Sequence, residues 1–344
     1  MGKSNQLLSE VVFIRPMLIV MLIVYHAFII YQGGWAAPDG FIPSKAYWWI
    51  SKLSYSFMLE GFVFISGYVF AYQLNKNPYK YERLTNVVKD KGLRLIIPSI
   101  VFSAIYFVLF YDYTSIANTI YTILDGAGHM WYLPMLFWCF IGYWFLSKCE
   151  IKTGITLFML ILMALASSIP LPIRINSAMY YLLFFYLGAL VYGYRDRVVN
   201  YISTHKIIVS WIVFATIFVG LTLASVEVDS LSNNGGIVLK ALCTSTTKAM
   251  RILYATLGIA ATYMTFAHWA NHHSPSKWII KFGTISMGVY ILQQFILQTL
   301  YYKTSLPILV GSYWLLWVSA ISTLLLSIVG AYALRKCPLT KHLI

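Results

Sequence analysis

Ten apolar stretches of membrane-spanning length follow one another along the chain, near 11–31, 53–73, 93–111, 131–147, 154–170, 178–194, 207–225, 249–267, 284–302 and 309–334. A helix needs about 20 mostly apolar residues to cross a hydrocarbon core about 30 Å thick. The repetition predicts an all-α, polytopic membrane helix bundle with about ten transmembrane helices. Only 10% of the residues are charged, against about 25% in soluble domains. The connections leave no room for a soluble domain, so residues 1–344 read as a single membrane domain. The longest are 32–52, 74–92, 112–130 and 226–248, and the last contains the turn-rich run from Ser230 to Gly236. The first apolar run exceeds the ~7–15 residues of a secretory h-region. It is also interrupted by Arg15, so it reads as an uncleaved first span.

The net charge of +14 would raise nucleic-acid binding in a soluble protein. Here it reports loops that face anionic membrane lipid, and no nucleic-acid partner is expected. With the N-terminus inside, the cytoplasmic set is Lys3, Lys76, Lys80, Arg83, Lys89, Lys91, Arg94, Lys148, Lys152, Arg195, Arg197, Lys206, Lys277, Lys281, Arg335, Lys336 and Lys341. The opposite side holds Lys45, Lys52, Arg174, Lys240, Lys248, Arg251 and Lys303. A split of 17 to 7 places both termini in the cytoplasm. The four cysteines have no CxxC or paired spacing, so no disulfide or metal role is expected of them.

Within so apolar a chain, ionisable residues inside a span are functional candidates. Arg15 and His26 share the first span. Eleven residues are close to three helical turns, so the two side chains lie within roughly 20° of one face and about 16 Å apart along the axis. His26 is either an interhelical hydrogen-bonding group or a general base or proton relay. Arg15 either snorkels to the interface or acts along the shared face. Glu60, early in the second span, has a depth near that of His26 and could fix the tautomer of the imidazole. Otherwise it is an interfacial acid. Ser66 and Gly67 form a small-residue patch suited to close helix packing or to approach by a ligand.

The loop over 74–94 is dense in cations, with Lys91 and Arg94 one helical turn apart. It reads as plain positive-inside topology or as a phosphate clamp. Pro98 can kink the third span there. His129, Trp131 and Tyr132 lie where a loop enters the fourth span. They fit an interfacial aromatic belt or a platform for a sugar ring. His268, His272 and His273 have metal-like spacing but no nearby acidic ligand, and no metal is expected. Neither a nucleotide-binding glycine loop nor a zinc-protease motif occurs.

Five of these stretches fall in one order: Arg15-x10-His26, Phe64-Ile65-Ser66-Gly67-Tyr68, Lys91-Gly92-Leu93-Arg94 through Pro98, His129-Met130-Trp131-Tyr132-Leu133-Pro134, and Gly283 through Leu292. Together they resemble the membrane-bound acyltransferase family 3, including its stand-alone glycan O-acetyltransferases, over nearly the whole chain. The resemblance implies about ten spans in the bacterial cytoplasmic membrane. It also implies transfer of an acyl group, usually acetyl from acetyl-CoA, to a hydroxyl of a cell-surface or lipid-linked glycan. The essential Arg and His of the family map onto Arg15 and His26. Its basic donor-binding pair maps onto Lys91 and Arg94, with Lys where Arg is common. Glu60 is the nearest match to an acidic residue that precedes the Ser-Gly stretch. The usual Tyr-Leu-Leu-His reads Tyr290-Ile291-Leu292-Gln293 here, which removes a histidine. An esterase-like domain found in some members has no counterpart, so transfer falls to this chain or to a partner.

On this reading His26 and Glu60 are catalytic. Arg15, Lys91, Arg94 and Ser66 serve the acyl-CoA donor, while His129, Trp131 and Tyr132 contact the glycan. A transporter or flippase for a lipid-linked glycan is the competing expectation, because intramembrane Arg, His and Glu also suit proton coupling. No inverted repeat supports it.

Overall fold

The computed structural model describes residues 8–38, 41–233, 235–338, 340 and 343. Lys3, Asn234 and Lys341 lie outside them. Every regular element among the described residues is helical. The α-helices are α1 (Ser9–Phe28), α2 (Lys45–Tyr55), α3 (Met58–Lys76), α4 (Leu84–Lys91), α5 (Ile97–Phe110), α6 (Ile116–Asp125) and α7 (Tyr132–Lys148). They continue with α8 (Thr153–Leu165), α9 (Ile175–Gly193), α10 (Arg195–Tyr201), α11 (Thr204–Asn233), α12 (Ile237–His272), α13 (Lys277–Tyr302) and α14 (Leu306–Lys336).

Each expected span falls on a helix. Among the described residues, eight helical segments are long and apolar enough to cross a membrane. Of the other two, α8 has only 13 residues. The 36-residue α12 is long enough but includes Lys240, Lys248 and Arg251.

The loops differ from expectation. Residues 32–52 contain most of α2, whose Ser44 N-cap accepts from the Tyr47 N–H. The stretch 112–130 contains α6, capped by Ser115 in the same way. The region 226–248 is mostly helix, because α11 runs to Asn233 and α12 starts at Ile237. Polar residues with adequate helix propensity prolong a helix past its apolar window, so hydropathy alone ends it too early.

The chain divides into two compact units. The first comprises Met1–Leu59 with Trp269–Ile344, and the second Glu60–His268. In the first unit α1 packs on α2, α13 and α14. Leu18, Ile19, Leu22 and Ile23 are fully buried. Phe28 meets the edges of Tyr47 and Trp317 at 5.2 and 5.1 Å, geometries favoured by ring quadrupoles. The Trp317 indole N–H donates to the Tyr47 hydroxyl at 3.2 Å.

In the second unit α3 and α9 touch backbone to backbone. A Cβ on Gly67 would strike the Phe185 carbonyl, and one on Gly188 would strike that of Phe64. Small residues are what permit so close an approach between apolar helices. The Gly67 patch is therefore a packing contact.

Candidate active site

In the first unit, His26 lies in the last turn of α1 and is 8% exposed. A short 3-10 turn over Ile29–Gln32 ends at Gly33, whose φ of 72° is the left-handed conformation glycine tolerates. The Gly33 and Gly34 N–H groups donate to the Ile30 and Ile29 carbonyls, both at 3.2 Å. This reversal returns Trp35 over His26, with planes 10° apart and centroids 5.9 Å apart.

The end of α13 holds that turn on both sides. Tyr301 donates to the Ala27 carbonyl and Tyr302 to that of Ala36, each at 2.7 Å. Tyr301 also presents its ring to Trp35 at 83° and 6.3 Å. The fully buried Gln293, where the resemblance led to a missing histidine, lies beside the His26 side chain on α13, and neither of its amide atoms has a hydrogen-bond partner among the described residues. An amide cannot replace an imidazole as a base at neutral pH, but it can orient one. Arg15 is half-buried on the same helix. Trp35 was not legible as a site residue, because only the glycine turn brings it back.

In the second unit, Glu60 in the first turn of α3 is 0% exposed. Its Oε1 accepts from Arg251 Nε at 2.6 Å and from the Tyr180 hydroxyl at 3.2 Å. Sequence reading counted Arg251 among the loop cations. The available signal was its position just inside the expected span 249–267.

Ser66 donates back to the Phe62 carbonyl at 2.8 Å and also bonds the Tyr132 hydroxyl. Trp131 is half-buried, with the Arg174 guanidinium 5.8 Å from its ring centre. Arg174 is itself paired with Asp125 at 2.7 Å. Ile173 and Arg174 both have positive φ, 51° and 58°. That is an uncommon strain for non-glycine residues, and for a β-branched one especially. His129 is buried against the Tyr106 ring edge at 5.9 Å. Trp131 and Tyr132 thus form one aromatic wall, with Tyr181 tilted against Trp131 at 6.1 Å.

Lys91 and Arg94 do not present one face. A π-helical turn over Gly92–Ile96 separates them and alters the α-helical spacing. Lys91 is 4% exposed. Its Nζ lies 3.0 Å from Asp90 and 3.2 Å from the Tyr81 hydroxyl, enclosed by the rings of Phe70, Tyr81 and Phe140. Burial holds the Tyr81 phenol above its ordinary range. Arg94 is exposed, as are Lys76, Lys80, Arg83 and Lys89. An apolar groove of about 510 Å³ adjoins this turn, lined by Lys89, Gly92, Ile96, Phe137 and Trp138 among others.

The first unit therefore carries Arg15 and His26. The second carries Glu60, Ser66, Lys91, Arg94, His129, Trp131 and Tyr132. A family model described as an acyltransferase domain matches residues 10–336. No curated protein and no solved structure matches the chain.

Proposed function

The chain belongs to acyltransferase family 3, and we propose that it moves an acetyl group from acetyl-CoA to a hydroxyl of a cell-surface or lipid-linked glycan, with His26 as the general base. The supporting observation is the setting of His26. A buried imidazole is covered by Trp35 and has Gln293 beside it, on the helix that carries Arg15 about three turns earlier. His26 takes the proton of the acceptor hydroxyl as the oxygen attacks the thioester carbonyl, and coenzyme A leaves as the thiol. The Trp35 cover limits water, which would otherwise compete as acceptor.

Arg15 steers the donor along the shared face of α1. Phosphates of coenzyme A meet the exposed cations near Arg94, since Arg and Lys pair readily with phosphate oxygens. Lys91, already committed to Asp90 and Tyr81, orders the turn that displays Arg94. Trp131 and Tyr132 offer an aromatic face to the sugar. The protein works from the bacterial cytoplasmic membrane, with donor and acceptor arriving from opposite sides.

The test is glycan mass spectrometry of a deletion strain complemented with wild type or with His26→Ala, alongside acetyl-CoA consumption by the purified protein. The expected result is an acetyl ester that wild type restores and the variant does not. An unchanged glycan together with movement of the unmodified glycan across the membrane would replace acyl transfer by transport.

A further inference from the structure

Glu60 is bonded through one oxygen only. Oε1 receives both Arg251 and Tyr180. Oε2 is buried and has no hydrogen-bond partner among the described residues. Native proteins leave few buried acceptors unsatisfied, and doing so costs roughly 1–3 kcal/mol, more where the group is charged. Of the neighbouring hydroxyls, Tyr132 bonds Ser66, and Ser66 donates to Phe62. Oε2 is thus an acceptor without a donor. Tyr132 and Tyr180 both lie within electrostatic range of Glu60 and supply aromatic surface beside it.

We propose that Glu60 Oε2 is a hydroxyl-binding subsite for the glycan acceptor, with Arg251 as the residue that positions it. The subsite rests on the reading of the chain as a glycan acetyltransferase. An oxygen that only accepts selects a donor, and an aromatic wall beside it favours the C–H face of a sugar. A deprotonated phosphate or carboxylate of the acceptor has no proton to donate to this oxygen, so the group taken here is a ring hydroxyl. Arg251 neutralises the carboxylate and positions it, because its Nε and the Tyr180 hydroxyl fix Oε1 and leave Oε2 to accept.

The experiment uses the full-length protein in nanodiscs, labelled acetyl-CoA, and the glycan fraction of a strain lacking the gene as acceptor. Glu60→Leu/Arg251→Met replaces the pair with apolar groups of similar size, an exchange that buried ion pairs often tolerate. The expected double variant melts near wild type. Its half-saturation for glycan rises about 10- to 100-fold, the loss of a hydrogen bond to a charged group. Wild-type half-saturation in the double variant would overturn the subsite.

If the double variant does not fold, Glu60→Gln serves. The two donors on the Oε1 side hold the amide oxygen toward them, so the NH2 replaces Oε2. The same rise in half-saturation is expected, and its absence overturns the proposal. Arg251→Lys should recover part of the affinity lost in Arg251→Met, which a purely structural role for the charge would show in melting temperature alone. If wild type transfers no acetyl group, the acetyltransferase reading fails by itself. Equilibrium binding of labelled glycan then decides the subsite, and equal binding by wild type and Glu60→Gln, or none by either, overturns it.

Discussion

Trp35 lies nearly parallel to the His26 imidazole, 5.9 Å away between ring centres, although they are nine positions apart in sequence. Gly33 and Gly34 create this relationship, and Tyr301 and Tyr302 hold it. Trp35→Ala should uncover the imidazole. Acetyl-CoA hydrolysis without acceptor should rise several-fold while transfer to glycan falls, and Trp35→Phe should restore most of the coupling. Measuring thiol release against acetyl ester formation separates the two, and an unchanged ratio in Trp35→Ala would remove the cover from the mechanism.

His26→Ala should abolish transfer without unfolding the protein. Loss of a general base lowers rate by roughly 10²–10⁴-fold, and a nucleophilic histidine would cost more and leave a trappable acyl adduct. Gln293→Leu should lower turnover more mildly, about tenfold, because a hydrogen bond that Gln293 gives His26 during transfer would contribute about 0.5–1.5 kcal/mol. Single-turnover rates and melting temperatures of both variants decide this. A Gln293→Leu enzyme with full turnover would reduce Gln293 to packing.

The contact between α3 and α9 leaves no space for side chains at Gly67 or Gly188. Each obstacle is a backbone carbonyl, which cannot swing aside as a long side chain can. Gly188→Val should therefore destabilise the protein by about 1–3 kcal/mol or more, the range for overpacked cores. Thermal unfolding in detergent, referenced to the change Gly193→Val in a position with open space, measures it.

The order of the spanning helices was legible because apolar runs of spanning length have few other uses, but ten were expected where eight segments among the described residues are long and apolar enough. Their ends were not, as α11 and α12 show, because helix propensity continues where apolarity stops. Arg15 and His26 could be read at once from their cost inside a span, and the position of Gln293 from the resemblance. Trp35 could not, and Arg251 offered only its position just inside the expected span 249–267. One depends on a left-handed glycine turn, and the other on tertiary pairing with a residue 191 positions away. Lys91 and Arg94 were paired on α-helical spacing, which the π turn over Gly92–Ile96 breaks.

The 17-to-7 split of basic residues predicts that Lys80 and Lys240 face opposite sides of the membrane. Both are exposed, so cysteines introduced there in a background lacking the four native cysteines should label with an impermeant reagent from opposite sides. Same-side labelling would end the two-sided route for donor and acceptor.

Lys91 and Arg94 should respond differently to neutralisation. Arg94→Ala should raise the Michaelis constant for acetyl-CoA with little effect on turnover, because phosphate contacts remote from the thioester bind ground and transition states alike. Added salt should weaken donor binding by wild type, and less so by the variant, since an exposed cation is screened. Lys91→Ala removes the partner of Asp90 and empties a cage of three aromatic rings. Its first effect should be a lower melting temperature, with loss of donor affinity following from the disordered turn. Lys91→Met refills the cage without the charge and should regain part of the stability. A Lys91→Met protein with wild-type stability but a Michaelis constant raised as far as in Arg94→Ala would show that Lys91 reaches the phosphates itself, and the division of labour between the two would be abandoned.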